Sequence, residues 1–427
     1  MRTAIAALLI CAGAAATALA PTPERVEPGL APEPGIPRFA GCFVQVERNR
    51  TGTVAVTSAL ALPARLTAVA AGSVVGETDV EVDGSGGGAV DQAAVTPAGP
   101  AGLLVELPTE DAAAGVLDWA DDGVAAAPCH PPAPGPVTAT GGSTLSGEEL
   151  FLVLSNPYLI DAEVAVTSSS EVGPDSASQL ERVLVPPRTV MVRSLSELLP
   201  LRRSLSVSVV PERGSAHVAL VGAAEGDRFL VEAVPPALEW WIPVPPGDGE
   251  LVVAAPGAGP VEVALDVYGP EGVTVEAITA SIDAGSQAGF ALSELGQGPL
   301  GVRVVASGPV VAGIAVRAPG IRAAGPGVAA LAPSWFLPAA AAAGEATLLV
   351  FNPGPEEVEV VAQPLEAGAG ARKVVAAPAA LTAVRIRQAG PAGYVVRASS
   401  EVAVAWTEAG PAGLAYAAGI PREERGE

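Results

Sequence analysis

FLVLSNPYLIDAEVAV (151–166), LVVAAPGAGPVEVAL (251–265) and LLVFNPGPEEVEVV (348–361) are three versions of one phrase. In each, an apolar run ends at a turn built on Pro157, Pro256 or Pro353. Six residues past that proline a glutamate, Glu163, Glu262 or Glu359, opens a second apolar run. The prolines stand 99 and 97 residues apart. Two further anchors recur at 97 and 92 residues. Leu195-Ser196-Glu197-Leu198 returns as Leu292-Ser293-Glu294-Leu295, and Gly301 to Ser307 returns as Gly393 to Ser399. A fourth, divergent copy precedes them, in which Leu103 to Leu107 and Val116 to Trp119 stand for Val395 to Ala398 and Val404 to Trp406. Propeller blades need about 40 to 50 residues, so a period near a hundred suits a whole sandwich.

Within a copy the hydrophobic period is two. Val261, Val263, Leu265 and Val267 share one face of a strand, and Glu262, Ala264, Asp266 and Tyr268 share the other, which reads as a half-buried antiparallel strand. The second copy reads as strands near 150–154, 162–168, 180–185, 189–195, 205–210, 216–221 and 229–234. Short strands with turns at such spacing predict an all-β chain of tandem immunoglobulin-like β-sandwich modules. The expected modules span 39–131, 144–238, 239–333 and 334–421, with a tail at 422–427. Tryptophan–proline joints, Trp240 to Pro243 and Trp335 to Pro338, are expected between them, and the alanine-rich 337–344 reads as a linker.

Composition limits the chemistry. The 427 residues carry a formal charge of −23, and Lys373 is the only lysine, which excludes a general nucleic-acid-binding surface. Aromatic residues make up 4% and charged residues 16%, so the cores must be built from small aliphatic side chains.

Met1-Arg2 precedes an apolar run from Ala4 to Ala20, interrupted only by Gly13 and Thr17, the pattern of an export signal with cleavage expected near Ala18. An uncleaved anchor over 1–20 is the competing reading. A lipoprotein based on Cys11 is disfavoured by Ile10 immediately before it. Residues 21–38, with a proline every few positions, read as a stiff polyproline II spacer. Export places the chain in an oxidising compartment, secreted or held at the envelope, with the membrane met only through the N-terminal segment. Cys42 and Cys129 are then expected to form a disulfide.

Candidate sites are few. His130 and His217 have no second ligand at metal-motif spacing and read as structural, so no metal site is expected. No Gly-x-Ser-x-Gly elbow accompanies them, and Lys373 follows no Gly-rich phosphate loop. Gly84 to Ala89 satisfies a loose dinucleotide pattern but leads into Pro97 rather than a helix, so it reads as a hairpin loop. Asp111, Asp118, Asp121 and Asp122 form the densest acidic group, weighed as calcium ligands and read as solvated surface. Trp240, Trp241 and Trp335 are candidates for stacking on a sugar ring, and their place at the joints favours packing between modules. No catalytic residue and no cofactor are expected.

The stretch SWFLPAAAAAGEATLLVFNPGPEEVEVVA (334–362), with its tryptophan–proline joint, strand and Asn-Pro-Gly turn, resembles a family of uncharacterised secreted or membrane-anchored proteins of high-GC actinobacteria. The resemblance implies location and a repeat architecture over about residues 40 to 420, and no activity, cofactor or catalytic residue. Ala255 stands where the sister copies have Asn156 and Asn352, which marks that asparagine as a turn former. The sequence therefore points to a non-enzymatic exported envelope protein with a structural or interaction role. Its partner would be an envelope protein or a glycan. The alternative is a carbohydrate-binding envelope protein, more remotely a glycosidase, and buried joint tryptophans would argue against it.

Overall fold

The computed structural model describes residues 38–422 except 47–50, 59–60, 83–86, 110, 121–122, 134, 225–226, 270–271, 319–320, 339–344, 366–369, 387–392 and 411–412. The expected export segment at 1–20, most of the expected spacer at 21–38, Gly84 to Gly86, Asp121 and Asp122 lie outside these residues. The chain is all-β: antiparallel sheets pair face to face into four sandwiches, and the helices among the described residues are single turns, Gln92–Val95, Leu195–Leu198 and Leu292–Leu295.

One strand order recurs in all four sandwiches. Numbered along each, the first sheet runs first–sixth–third–fourth and the second runs fifth–second–seventh–eighth. In the first sandwich the first sheet is Arg38–Val46, Gly99–Leu107, Ala64–Ala70 and Ser73–Val80, and the second is Gly87–Asp91, Thr51–Thr57, Ala113–Ala120 and Gly123–Pro128. In the third and fourth, the sixth and seventh positions fuse into one long strand, Leu300–Ala318 and Tyr394–Gly410, that leaves one sheet and enters the other. Each sandwich closes in the same way, by an antiparallel contact between its first strand and the residues after its eighth: Gly41 with His130, Thr138 with Val234, Trp241 with Val328 and Phe336 with Ile420.

Local chemistry explains the recurrence. Asn156 and Asn352 close their turns identically. The Asn156 Nδ2 donates to the carbonyls of Ile160 and Val185 at 2.8 and 2.9 Å, and its Oδ1 accepts from the Tyr158 N–H at 3.0 Å. Asn352 bonds Glu356, Ala377 and Gly354 in the same pattern. Ser307 and Ser399 accept the backbone N–H of Glu262 and Glu359, holding the start of the third strand against the sixth.

The sandwiches do not hang as beads on a string. The first sheet of each docks on the second sheet of the next, and the first sheet of the fourth docks on the second sheet of the first. Phe43 lies against Val153, Ala219 and Val221 at the first seam. Gly141 and Thr140 meet Ala324 and Gly313 at the second. Trp241 and Tyr268 meet Phe351 at the third, with ring centroids 5.8 and 4.9 Å apart. Phe336, Leu365 and Val395 meet Ala55 and Ala113 at the fourth. The four eighth strands, Gly123–Pro128, Asp227–Glu232, Ile321–Pro326 and Gly413–Ala418, lie beside one another around the middle of this closed ring.

Ring closure explains the composition. A strand with one face in its own core and the other in a seam must be apolar on both, hence uninterrupted runs such as Leu251 to Ala255. It also explains the small side chains. A Cβ on Gly102 would overlap the Ser155 side chain, and one on Gly301 would overlap the Phe351 ring, each belonging to the following sandwich.

Three expectations from sequence change. The first strand of the second sandwich, Val137–Gly142, lies ahead of the expected start at 144. The strand Val261–Gly269 keeps the half-buried alternation only as far as Leu265; beyond it Asp266 and Tyr268 are also buried, Tyr268 against Phe351 at the third seam, with Asp266 accepting from Arg303 and from the Glu276 N–H. Arg422 is not part of a solvated tail: it is buried against Asp111 of the first sandwich.

Candidate functional site

The tryptophans assigned to joints are in strands. Trp240 and Trp335 point into the cores of their own sandwiches, 2% and 0% exposed, with Nε1 donating to the Val310 and Ala332 carbonyls at 2.8 Å. The third, Trp241, fills the seam to the fourth sandwich and carries the Arg303 guanidinium 5.1 Å from its ring centroid. No face of the three rings is offered to a sugar. The acidic group also divides. Asp111 pairs with Arg422 at 3.0 Å, and Asp118 lies 3.7 Å from Arg228 of the second sandwich. These two carboxylates are therefore seam groups rather than solvated surface or calcium ligands. Among the described residues no cluster of His, Cys, Asp or Glu is placed to hold a metal ion.

Titratable side chains do converge at the first seam. His130 and His217, isolated in sequence, line one cavity with Glu232. Its volume is about 20 Å³, room for a single water and no substrate. Spacing along the chain could not show this, because docking of two sandwiches brings the residues together. His217, on the seventh strand of the second sandwich, places its ring where a Cβ on Gly41 would stand, so glycine at 41 is what admits it. Its Nε2 lies 3.4 Å from the Tyr158 hydroxyl. Glu232 reaches across the seam and accepts the Phe43 N–H at 3.3 Å, capping the free edge of the strand Arg38–Val46. Part of His130 reaches the surface, but its Nε2 is buried without a hydrogen-bond partner.

The strand registers mark these residues as departures from their sisters. Where His130 stands, the other sandwiches have Val234, Val328 and Ile420 at the closing contact. Where Glu232 stands, two residues earlier, they have Pro128, Pro326 and Ala418. Position and polarity together single out this seam.

Burial holds Glu232, His130 and His217 uncharged near neutrality. It pushes Glu232 up to about 8, against the opposing effect of the Phe43 N–H. It pushes His130 down to about 4, and His217, burdened also by the nearby His130, down to about 4. The Tyr158 hydroxyl is pushed up to about 12 by burial. Glu232, with its folded value raised from 4.5, contributes stability that is complete below pH 4.5 and lost as pH rises through 8. The histidines, lowered from 6.5, contribute stability that is complete above 6.5 and lost as pH falls through 4. From 4.5 to 6.5 two histidines outweigh one glutamate and stability rises; from 6.5 to 8 only the glutamate remains and stability falls. Urea unfolding across pH should therefore show a maximum near pH 6.5, and Glu232→Gln should remove the alkaline decline. Equal slopes for the two proteins between pH 6.5 and 8 would refute this assignment.

The first sandwich carries one more special feature. Cys42 and Cys129 are joined in a disulfide, Cα atoms 4.8 Å apart, immediately beside the Gly41–His130 closing contact. Among the described residues no helix is long and apolar enough to cross a membrane.

No curated protein matches the chain. A solved structure of two B repeat units of the collagen-binding protein of Staphylococcus aureus aligns over 83% of this chain and 93% of its own, at 8% identity and a TM-score of 0.12. So low a score carries no argument about fold or function. The sequence profile that matches residues 92–405, covering all of the second and third sandwiches and most of the fourth, is that of a family of unknown function, DUF5719, and the chain belongs to that family.

Proposed function

We propose that this is a non-enzymatic, exported envelope protein of actinobacterial type, built from four copies of one sandwich module and acting as a rigid structural or interaction element. The observation that carries the reading is ring closure. The sheet faces at the four seams are committed to neighbouring sandwiches, and exposed strands such as Gly272–Ile282, with the loops and sheet edges, are what remain to meet a partner. The Cys42–Cys129 disulfide supports an oxidising compartment. Burial of Trp240, Trp241 and Trp335 removes the main support for a carbohydrate-binding reading.

The test is fractionation of an actinobacterial host expressing the full chain, combined with thiol alkylation and assays on glycan substrates. The chain is expected in the envelope or medium, with both cysteines unreactive until reduced and no glycan turnover. A cytosolic chain with free thiols, or hydrolysis that vanishes on replacing a single Asp or Glu, would sink the proposal.

A further inference from the structure

The second and third sandwiches share the single-turn helix Leu-Ser-Glu-Leu but differ in the corner beside it. In the second, Ser143–Gly147 and Leu199–Ser204 are zipped together. The Thr144 N–H donates to the Arg202 carbonyl and the Leu201 N–H to the Thr144 carbonyl, both at 2.9 Å. The Thr144 hydroxyl donates to the Leu199 carbonyl and accepts the Arg202 N–H. Leu199 is buried in the corner, and Arg202 pairs with Asp175 at 2.7 Å.

The pairing of Gly142 with Leu205 in one sandwich and of Val244 with Leu300 in the other aligns the two corners. In the third sandwich both loops are shorter. Pro245–Asp248 carries two prolines without N–H groups, and Gly296–Pro299 has Gly296 where Leu199 stood. Among the described residues no hydrogen bond joins these two loops. A cleft of about 290 Å³ opens instead, with Val244, Leu292 and Leu300 as an apolar floor and Asp248, Ser293 and Gln297 at the rim.

We propose that this cleft is a peptide-binding site. Its occupant is an extended segment of another polypeptide that supplies a leucine-sized side chain for the floor, as Leu199 does in the second sandwich, and beside it an arginine for Asp248, a carboxylate with no counterpart in the loop Ser143–Gly147. Charge favours such a partner, since Asp248 is the one charged group of the lining and the chain as a whole carries −23. The proposal rests on reading the chain as an interaction element, and it names where one interaction occurs.

The probe is a labelled synthetic peptide copying Leu199 to Arg203, compared with one in which both arginines are replaced by glutamate, titrated into the full chain by fluorescence anisotropy. The arginine peptide is expected to bind, with hydrogen-exchange protection confined to the backbone N–H groups of Gly247, Asp248, Gly296, Gln297 and Gly298. The glutamate peptide, Asp248→Lys and Ser293→Phe should each weaken binding by at least about tenfold. Asp248 and Ser293 are exposed, so the variants should keep the wild-type unfolding midpoint; should either fail to fold, the exchange footprint on the wild type decides. Binding unchanged in the variants, protection elsewhere, or no binding up to about 1 mM would overturn the site. Self-association of the wild type that both variants lose would assign the cleft to a second copy and overturn the partner named here. A cytosolic location would refute the functional reading without changing the footprint, so the two failures are distinguishable.

Discussion

Arg422→Met is expected to lower the stability of the folded chain by about 3 to 5 kcal/mol, the range for removing one partner of a buried ion pair. The Arg422 Nη2 lies 3.0 Å from Asp111 Oδ2, its Nε donates to the Asp111 carbonyl at 3.1 Å, and both side chains are 6% exposed. Losing the guanidinium removes the Arg422 ion pair from a carboxylate that is only 6% exposed. Asp111→Asn in the same chain should return part of the loss, because the buried group that faced Arg422 is then neutral. Urea unfolding of the single and double variants measures both effects. A single-variant change below about 1 kcal/mol would mean that the contact does not hold the fourth sandwich to the first.

Breaking the disulfide ranks next. Cys42 and Cys129 are 87 residues apart, and in the chain-entropy model a loop of that length stabilises by roughly 4.5 kcal/mol. Replacing both cysteines by alanine, or adding reductant, should lower the unfolding free energy by an amount approaching that figure. The sister closures at Trp241–Val328 and Phe336–Ile420 do without a disulfide, and both are packed by large rings where the first closure has Gly41. The covalent bond therefore reinforces the closure with the least side chain of its own. A change below about 1 kcal/mol under reductant would contradict this account.

The strand pattern was readable wherever a run of apolar residues met a turn with its own chemistry. Phe151 to Leu154 followed by Asn156-Pro157 and Leu348 to Phe351 followed by Asn352-Pro353 were legible for that reason. Val137–Gly142 alternates over only four residues of small size before two glycines, too short a pattern to carry the module start ahead of 144. The ring left a trace that was harder to read. Uninterrupted runs such as Leu251 to Ala255 announce burial on both faces, but nothing in them says that the second cover is a neighbouring sandwich. The seam residues were out of reach for a different reason. His130 and Glu232 become conspicuous only once strand registers align them with Val234, Val328 and Ile420 and with Pro128, Pro326 and Ala418. Arg422, five residues before the last, gave no sign that its partner lay 311 residues away.

Closure also restricts how such a chain can evolve. A linear array of repeats gains or loses a unit at either end with little consequence, since each unit touches only its neighbours. Here the fourth sandwich already occupies the face that a fifth would need, and inserting one would require every docking angle to change at once. Within the closed set of four, a change in unit number would disturb every seam, whereas a difference between copies at one position, such as His130 where the sister closures have Val234, Val328 and Ile420, leaves the ring intact.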